Sequence, residues 1–197
     1  MSQPEASQPP VPSSPQPKWQ TCDEVELIDA ARCDREAFGE LYRRHYSAIA
    51  NYVYRRTGRD DATEDLLSEV FLAVLQGLQR YRHRGVPFRH WVYRIATHKV
   101  NRWARTQRRN FLSLDAVGPN AQAAPTEGEA MDVQRLLPQL LSLKPKQQAV
   151  LTLHYVEGLS VDEVAQVLKV PAGTVKSRLA RARAALEERL RRGEGRS

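Results

Sequence analysis

The residues of this chain whose types and spacing best suit chemistry are cations and hydroxyls near the carboxyl end. The segment Lys169 to Arg183 holds five basic residues and no acid. The helix that Pro171 would open separates apolar residues from polar ones. One side would hold Val175, Leu179, Ala182 and Leu186, and the other Thr174, Ser177, Arg178 and Arg181, flanked by Lys176 and Arg183. Guanidinium, ammonium and hydroxyl groups on one helix face favour contact with phosphates and base edges.

The preceding residues predict the short helix and tight turn that would position this face. Gly158 would end one helix, and Ser160 with Glu163 has the spacing of a capping box that opens the next. The inner face of that next helix would hold Val161, Val164, Ala165 and Leu168. Two short helices of this kind are typical of a helix-turn-helix that enters the major groove. The alternative is that the cations merely solvate a surface helix, although such faces usually mix both signs of charge.

A second basic segment, Arg80 to Arg109, combines cations with aromatic rings. It holds ten basic residues and no Asp or Glu, which is typical of a surface that follows phosphates. The interleaved rings are Tyr81, Phe88, Trp91, Tyr93 and Trp103. Rings beside cations can stack on single-stranded bases, whereas rings on an apolar helix stripe usually form core. Phe88 and Trp103 fall on that stripe, so Tyr81 and Tyr93 are the rings predicted to contact DNA.

Helical periodicity predicts an all-α fold of two small helical domains. In the first domain, Leu27, Ile28 and Ala31 mark a short helix, and Asp34 caps a second helix that ends before Gly58. A third helix spans about 62–80, and Pro87 opens a fourth. No strand-like alternation is long enough to build a sheet. We expect a disordered arm rich in Pro, Ser and Gln over 1–22, a first domain over 23–110, a flexible acidic linker over 111–132, a second domain over 133–192 and a frayed tail over 193–197.

Composition excludes several classes of protein. The net charge of +7 favours a polyanionic partner. The uncharged apolar run 70–79 is far shorter than the roughly 20 apolar residues of a membrane span, and no signal-peptide pattern precedes it. We therefore expect a cytoplasmic protein without membrane insertion. Cys22 and Cys33 lack a second pair or a suitably spaced His, so we expect reduced thiols, no metal and no cofactor.

Catalysis is not indicated by the residue pattern. A nuclease or recombinase would need clustered carboxylates for a metal or a positioned nucleophile. The acids lie mainly on single helix faces, and the five His residues have no ligand spacing. We therefore predict that the chain is not an enzyme.

The motifs, in this order, resemble those of the extracytoplasmic-function group of RNA polymerase sigma factors, within the sigma-70 family. The likeness covers about residues 34–190. The matching strings are DREAF and LYRR from Asp34, EDLLSEVF from Glu64, FRHWVYRIA from Phe88, and EGLS, EVA and GTVKSRLARAR between Glu157 and Arg183. The resemblance implies a chain that binds core RNA polymerase and directs promoter-specific transcription initiation, for a stress or envelope-signal regulon.

The resemblance also implies roles for individual residues. Region two would dock on the clamp helices of the largest polymerase subunit through Asp65, Leu66, Glu69 and Phe71. It would melt the minus-ten promoter element and capture a flipped base through Tyr81, Arg89, Trp91, Arg94, His98, Lys99 and Arg102. Region four would read the minus-thirty-five element through Thr174, Lys176, Ser177, Arg178, Arg181 and Arg183, while its other face meets the polymerase flap. An anti-sigma factor is a further partner that the family implies, and one that could hold the protein at the membrane.

This sequence departs from the family pattern at four positions. His98 replaces a frequent Asn, which leaves the base preference there open, and Arg102 stands where an acid is common. Cys33 replaces a common Gly, and Ala180 a bulkier contact residue.

The linker is acidic, with Asp115, Glu127, Glu129 and Asp132 and no cation among them. One hypothesis is that it lies in the polymerase channel that otherwise holds nucleic acid. The other is that it is an ordinary polar spacer.

Two rival classes of protein remain at this stage. A stand-alone helix-turn-helix repressor or activator would use the last domain in the same way, but should dimerise and give a palindromic footprint without polymerase. A purely structural interaction protein would not explain two basic surfaces.

Overall fold

The computed structural model describes residues 18–83, 85–113 and 130–194. Within those ranges the chain forms eight α-helices and one π-helical segment, and no strand. The prediction of an all-α fold with two helical domains is therefore confirmed.

Module one, residues 24–113, holds the first four helices. They are α1 (Glu24–Ala30), α2 (Arg35–Thr57), α3 (Asp60–Leu78) and α4 (Phe88–Ser113). Local chemistry sets their ends: the Asp34 carboxylate accepts the backbone amides of Glu36 and Ala37 at the start of α2. Gly58 ends α2 with a left-handed φ of 65°, a conformation that favours glycine. Both signals were predicted from the sequence.

Module two, residues 130–194, holds the remaining elements. They are α5 (Ala130–Leu141), α6 (Pro145–Leu151), the π segment (Thr152–Val156), α7 (Val161–Leu168) and α8 (Ala172–Glu194). Pro145 opens α6, and Gly158 follows the π segment with a φ of 70°, where the sequence predicted a helix end. The π segment itself was not predicted, because a single widened turn leaves the apolar periodicity nearly unchanged.

The ends of the expected domains differ in detail from the helices. Residues 1–17 of the arm lie outside the described residues, but Trp19 and Cys22 pack against the core of module one. Helix α4 continues to Ser113 and α5 begins at Ala130, so both helices extend into the predicted linker. Its residues 114–129, with Asp115, Glu127 and Glu129, lie outside the described residues, as does the side chain of Asp132 and the tail from 195 to 197. The domain limits stay predictions.

The two modules pack against each other. Helix α4 lies against α7 and α6, while α2 contacts α5, α6 and the π segment. Leu141 of α5 covers Gly58 so closely that a Cβ at Gly58 would meet the Leu141 Cδ1 atom at 2.3 Å. Cys22 is partly buried and Cys33 is exposed, and both are thiols. None of the described helices is both long and apolar enough to cross a membrane.

Candidate nucleic-acid interface

Helix α8 presents the predicted polar face to solvent. Val175, Leu179 and Ala182 are 0%, 5% and 0% exposed and form its buried back. The opposite face holds Thr174, Lys176, Ser177, Arg178, Arg181 and Arg183, of which Thr174 and Arg178 are partly buried and the others exposed. Four of the six predicted residues are exposed, whereas Thr174 and Arg178 line a cavity together with Asn101 and Arg105 of α4.

The turn before α8 is fixed by local hydrogen bonds. The Ser160 hydroxyl accepts the Glu163 amide at 3.2 Å, and the Glu163 carboxylate accepts the Ser160 amide at 2.8 Å, which completes the predicted capping box. These bonds hold the pKa of Glu163 below its ordinary value because they stabilise the carboxylate. Lys169 then ends α7 with a left-handed φ of 53°. Both ends of α7 are therefore set within the motif.

Hydrogen bonds of the α8 cations stay within module two. Arg181 donates to the carbonyl and hydroxyl oxygens of Ser177, at 3.1 and 3.3 Å. Arg183 donates to the Tyr155 hydroxyl at 3.2 Å. Because these partners are neutral, the guanidinium groups keep their charge available for phosphate or guanine.

The cations of α4 are held by partners on other helices. Arg94 donates to the carbonyl oxygens of Gln166 and Val167 at the end of α7, at 2.7 and 3.3 Å. Lys99 pairs with Glu69 of α3 at 2.9 Å. Arg89 lies 3.9 Å from a Glu163 carboxylate oxygen. Three of the predicted minus-ten residues are thus engaged, whereas His98 and Arg102 are exposed.

Burial changes the expectation for the aromatic rings. Tyr81 and Tyr93, predicted to contact DNA, are only 8% and 4% exposed, and Phe88 is core as predicted. The Tyr93 hydroxyl donates to the Glu157 carboxylate, and burial with this bond raises the pKa of Tyr93. Trp91 is partly exposed and lies on Gly77, where a Cβ would meet its ring at 2.8 Å. Trp91 is therefore better placed than Tyr81 or Tyr93 to contact DNA.

A cavity of about 350 Å³ lies beside Trp91. Its lining residues are Arg80, Tyr81, Arg82, Val86, Trp91 and Arg94. The rings of Tyr81 and Trp91 are 4.9 Å apart at their centroids. Two rings and three guanidinium groups around one cavity are suited to an unstacked base with its phosphate.

Helix α3 carries the predicted polymerase-binding residues, and burial divides them. Asp65 and Glu69 are exposed, whereas Leu66 and Phe71 are only 4% and 7% exposed. Direct contact through the last two side chains therefore does not fit this structure, since both support the core. Sequence reasoning missed two exposed neighbours, Leu72 at 55% and Leu75 at 46%. Leu72 falls off the apolar stripe of α3, which was the available signal, whereas Leu75 continues that stripe in the sequence and gave none.

The described parts of the chain contain no candidate metal site. There, no three His, Cys, Asp or Glu side chains form a group that could hold a metal ion.

Comparison with known proteins places both modules in one family. The family models for sigma-70 region 2 and sigma-70 region 4 match residues 41–110 and 134–186. The RNA polymerase sigma factor YlaC of Bacillus subtilis is 31% identical over 79% of this chain and 93% of its own. The ECF RNA polymerase sigma factor SigM of Mycobacterium tuberculosis is 30% identical over 85% of this chain and 84% of its own. The chain belongs to the extracytoplasmic-function group of RNA polymerase sigma factors.

A solved structure shares the arrangement of this sigma factor. CnrH, in complex with the cytosolic domain of CnrY, matches with a TM-score of 0.65 and 25% identity. The match covers 88% of the sigma factor and 97% of the CnrH chain. Modules one and two correspond to regions two and four, as the sequence motifs indicated.

Proposed function

We propose that this chain directs transcription initiation by binding core RNA polymerase through module one and reading promoter DNA with both modules. The observation that carries the proposal is the pairing of a cationic helix-turn-helix with a second cationic helix whose module also exposes an acidic and apolar face. A stand-alone regulator needs only the first of these features.

In module two, α8 would enter the major groove at the minus-thirty-five element. Arg178 and Arg181 lie on its front, the first partly buried and the second exposed, and an arginine can contact both acceptors of a guanine at once. Thr174, Lys176, Ser177 and Arg183 surround them, and would fix the register through phosphates. The buried back of α8 keeps this face in one orientation.

In module one, the exposed face of α3 would bind the polymerase. Asp65, Glu69 and Leu72 follow at steps of four and three residues and share that face, and Leu75 lies next to it. Tyr42 and Tyr46 of α2 are also exposed, at 38% and 39%, and Tyr42 packs on Phe71 with centroids 4.5 Å apart. An apolar patch rimmed by acids is suited to a partner helix that carries cations, and clusters of this kind mark interaction surfaces.

The minus-ten element would be melted against α4. The cavity beside Trp91 would receive one unstacked base, and His98, Lys99 and Arg102 would follow the phosphates of that strand. Leu66 and Phe71 would act indirectly, by holding α3 in place beneath the polymerase-binding face.

We also propose a protein antagonist of the anti-sigma type. The support is the CnrH structure, in which a sigma factor of similar fold is bound to the cytosolic domain of CnrY. As a partner of RNA polymerase, the chain would work in the cytoplasm, with membrane attachment only through such an antagonist.

The polymerase interface can be tested with one double variant and its matched control. Leu72→Asp with Leu75→Asp should abolish association with core polymerase and all initiation, because two charges would enter a desolvated contact. Val25→Asp, which places a charge on an exposed apolar side chain of α1 away from that face, should retain both. Circular dichroism would confirm that each variant folds.

Two results would overturn the proposal. One is full initiation by the double variant. The other is a wild-type chain that never associates with polymerase but protects a palindromic site, as a stand-alone regulator would.

A further inference from the structure

The cavity beside Trp91 has one wall without helical structure. This cavity wall, residues 79–82, leaves the end of α3 as a turn and then continues without regular structure. Three of its residues, Arg80, Tyr81 and Arg82, line the cavity. A helix bonds its own backbone, whereas the carbonyl groups of such a segment need partners from elsewhere. The partners of the wall therefore decide the shape of the cavity.

Arg32, in the turn after α1, supplies those partners. Its guanidinium donates to the Gln79 carbonyl oxygen at 3.2 Å and to the Tyr81 carbonyl oxygen at 3.0 Å. The side-chain amide of Gln79 donates in return to the Arg32 carbonyl oxygen at 2.7 Å. These bonds join residues 47 and 49 positions apart, so they tie the wall to the end of α1.

A second guanidinium reaches the same two carbonyl oxygens. Arg82 donates to those of Gln79 and Tyr81 at 3.2 and 3.1 Å. Because Arg82 belongs to the wall, its bonds cannot fix the wall to another element. That connection is made by Arg32.

The guanidinium of Arg32 is itself held in place. The Asp29 carboxylate lies 3.2 Å from it, and the Arg32 side chain is only 20% exposed. Arg32 does not line the cavity. It therefore acts on the cavity from behind, through the backbone of the wall.

Tyr81 is the residue through which this support reaches the cavity. Its carbonyl oxygen is held by Arg32, while its ring packs on Phe88 and Trp91 with centroids 5.2 and 4.9 Å apart. Fixing both ends of Tyr81 orders the wall before any ligand arrives. An ordered site loses less conformational entropy on binding than a site that must first be ordered.

We propose that Arg32 is a positioning residue for base capture: it holds residues 79–82 in the shape that receives an unstacked base, without touching DNA itself. The proposal rests on the function proposed above, because the base is the ligand assigned there to this cavity. A guanidinium is needed, since its planar fork can donate to two carbonyl oxygens at once, whereas an ammonium is a single point of charge.

The first test measures binding of the full-length chain to single-stranded DNA. The probe is a fluorescent oligonucleotide of mixed sequence, about 12 nucleotides long, titrated at several salt concentrations. Arg32→Ala and Arg32→Lys are compared with wild type and with Arg35→Ala, which removes a nearby exposed cation.

Both Arg32 variants should bind the strand about threefold to tenfold more weakly than wild type, because both lose the double bond to the wall. Arg35→Ala should stay within about twofold of wild type. The slope of log affinity against log salt should not change in the Arg32 variants. A slope reduced by about one in Arg32→Ala would make Arg32 a phosphate contact and overturn the proposal, as would full affinity in Arg32→Lys.

A double-mutant cycle with Trp91 separates positioning from a general loss of stability. Trp91→Ala removes the ring that the wall faces, so adding Arg32→Ala should then weaken strand binding by less than about twofold. Losses that multiply in full would show that Arg32 does not act through the cavity.

Hydrogen exchange tests the wall without DNA. The amides of Arg80 and Tyr81 both donate to the Gly77 carbonyl oxygen at 3.0 Å, and they should exchange faster in Arg32→Ala than in Arg35→Ala. Exchange in the remainder of module one is the control for folding. Equal exchange of the wall in the two variants would overturn the proposal. A wall that loosens as expected, in a chain whose wild type binds no single strand, would disprove the proposed base capture alone.

Discussion

Helices α4 and α8 are both cationic, yet they hold their cations differently. In α8, Arg181 and Arg183 donate only to neutral groups of their own module. In α4, Arg94 is bonded to α7 and Lys99 is paired with Glu69. The two helices have the same kind of sequence pattern, but Arg181 and Arg183 of α8 bond only within their own module, whereas Arg94 and Lys99 of α4 must first release partners on other elements.

This difference shows that a run of cations predicts the chemistry of a surface but not its availability. In α8 the buried back of the helix fixes the exposed front, and this depends on local residues alone. In α4, whether a cation already has a bonding partner depends on where α3 and module two lie. The predictions below separate specific readout by α8 from general attraction by α4, and test the packing and the turn that hold module two.

The largest effect on DNA binding is expected at Arg178. Arg178→Ala should cost about 1 to 3 kcal/mol on the best promoter sequence and relax the preference at one position of the minus-thirty-five element. Competition binding with single-base variants of the promoter measures both effects. Arg191→Ala removes an exposed cation farther along α8 and should alter only salt-sensitive affinity. Equal losses on every sequence for both variants would remove the readout role of Arg178.

Gly58 tests the packing of module two on module one. Gly58→Ala should destabilise the chain by about 1 to 2 kcal/mol, because a φ of 65° is strained for alanine, and its Cβ would also displace Leu141. Thermal unfolding measures this loss. Gly39→Ala is the matched control: it lies within α2 with no atom near the new Cβ, so it should stabilise by about 0.5 to 1 kcal/mol. A Gly58→Ala chain as stable as Gly39→Ala would contradict the close approach.

Lys99 should have a smaller and less specific effect. Lys99→Ala should weaken binding to all promoter sequences alike and reduce the slope of log affinity against log salt by about one. A salt titration of DNA binding by the wild-type and Lys99→Ala chains gives the slope. A loss confined to one promoter sequence would instead assign base readout to Lys99.

The smallest effect concerns pH and Glu163. Its folded pKa lies below the ordinary 4.5. The ionised carboxylate therefore makes its full contribution to the stability of module two at pH values above 4.5. This contribution is lost as pH falls through the folded pKa. Unfolding as a function of pH should show the decline in wild type, and Glu163→Gln should lack this part of it. An identical decline in the variant would assign the acid sensitivity to other groups.

Much of the fold followed from local signals in the sequence. The cap at Asp34, the capping box of Ser160 with Glu163, and the stop at Gly58 act between residues that are close in the chain. The apolar stripe of α8 likewise predicted its buried back of Val175, Leu179 and Ala182. These features need no knowledge of tertiary packing.

What the sequence did not predict depends on long-range packing. The bond from Tyr93 to Glu157 joins residues 64 positions apart, and that from Arg56 to Gln148 joins residues 92 apart. Periodicity on α4 or α2 cannot reveal which partner covers a face. The same reason explains why Tyr81 was expected at the surface and why Leu72 was overlooked.

The central claim, that two cationic modules select promoters for a polymerase bound to α3, is tested most directly by transcription in vitro. Purified core polymerase would be combined with this chain on a library of genomic fragments, and the start sites sequenced with and without it. The account predicts new start sites that share two conserved elements at a fixed spacing, one of which loses a preferred base with Arg178→Ala. Unchanged start sites, from a chain that does not associate with polymerase, would contradict it.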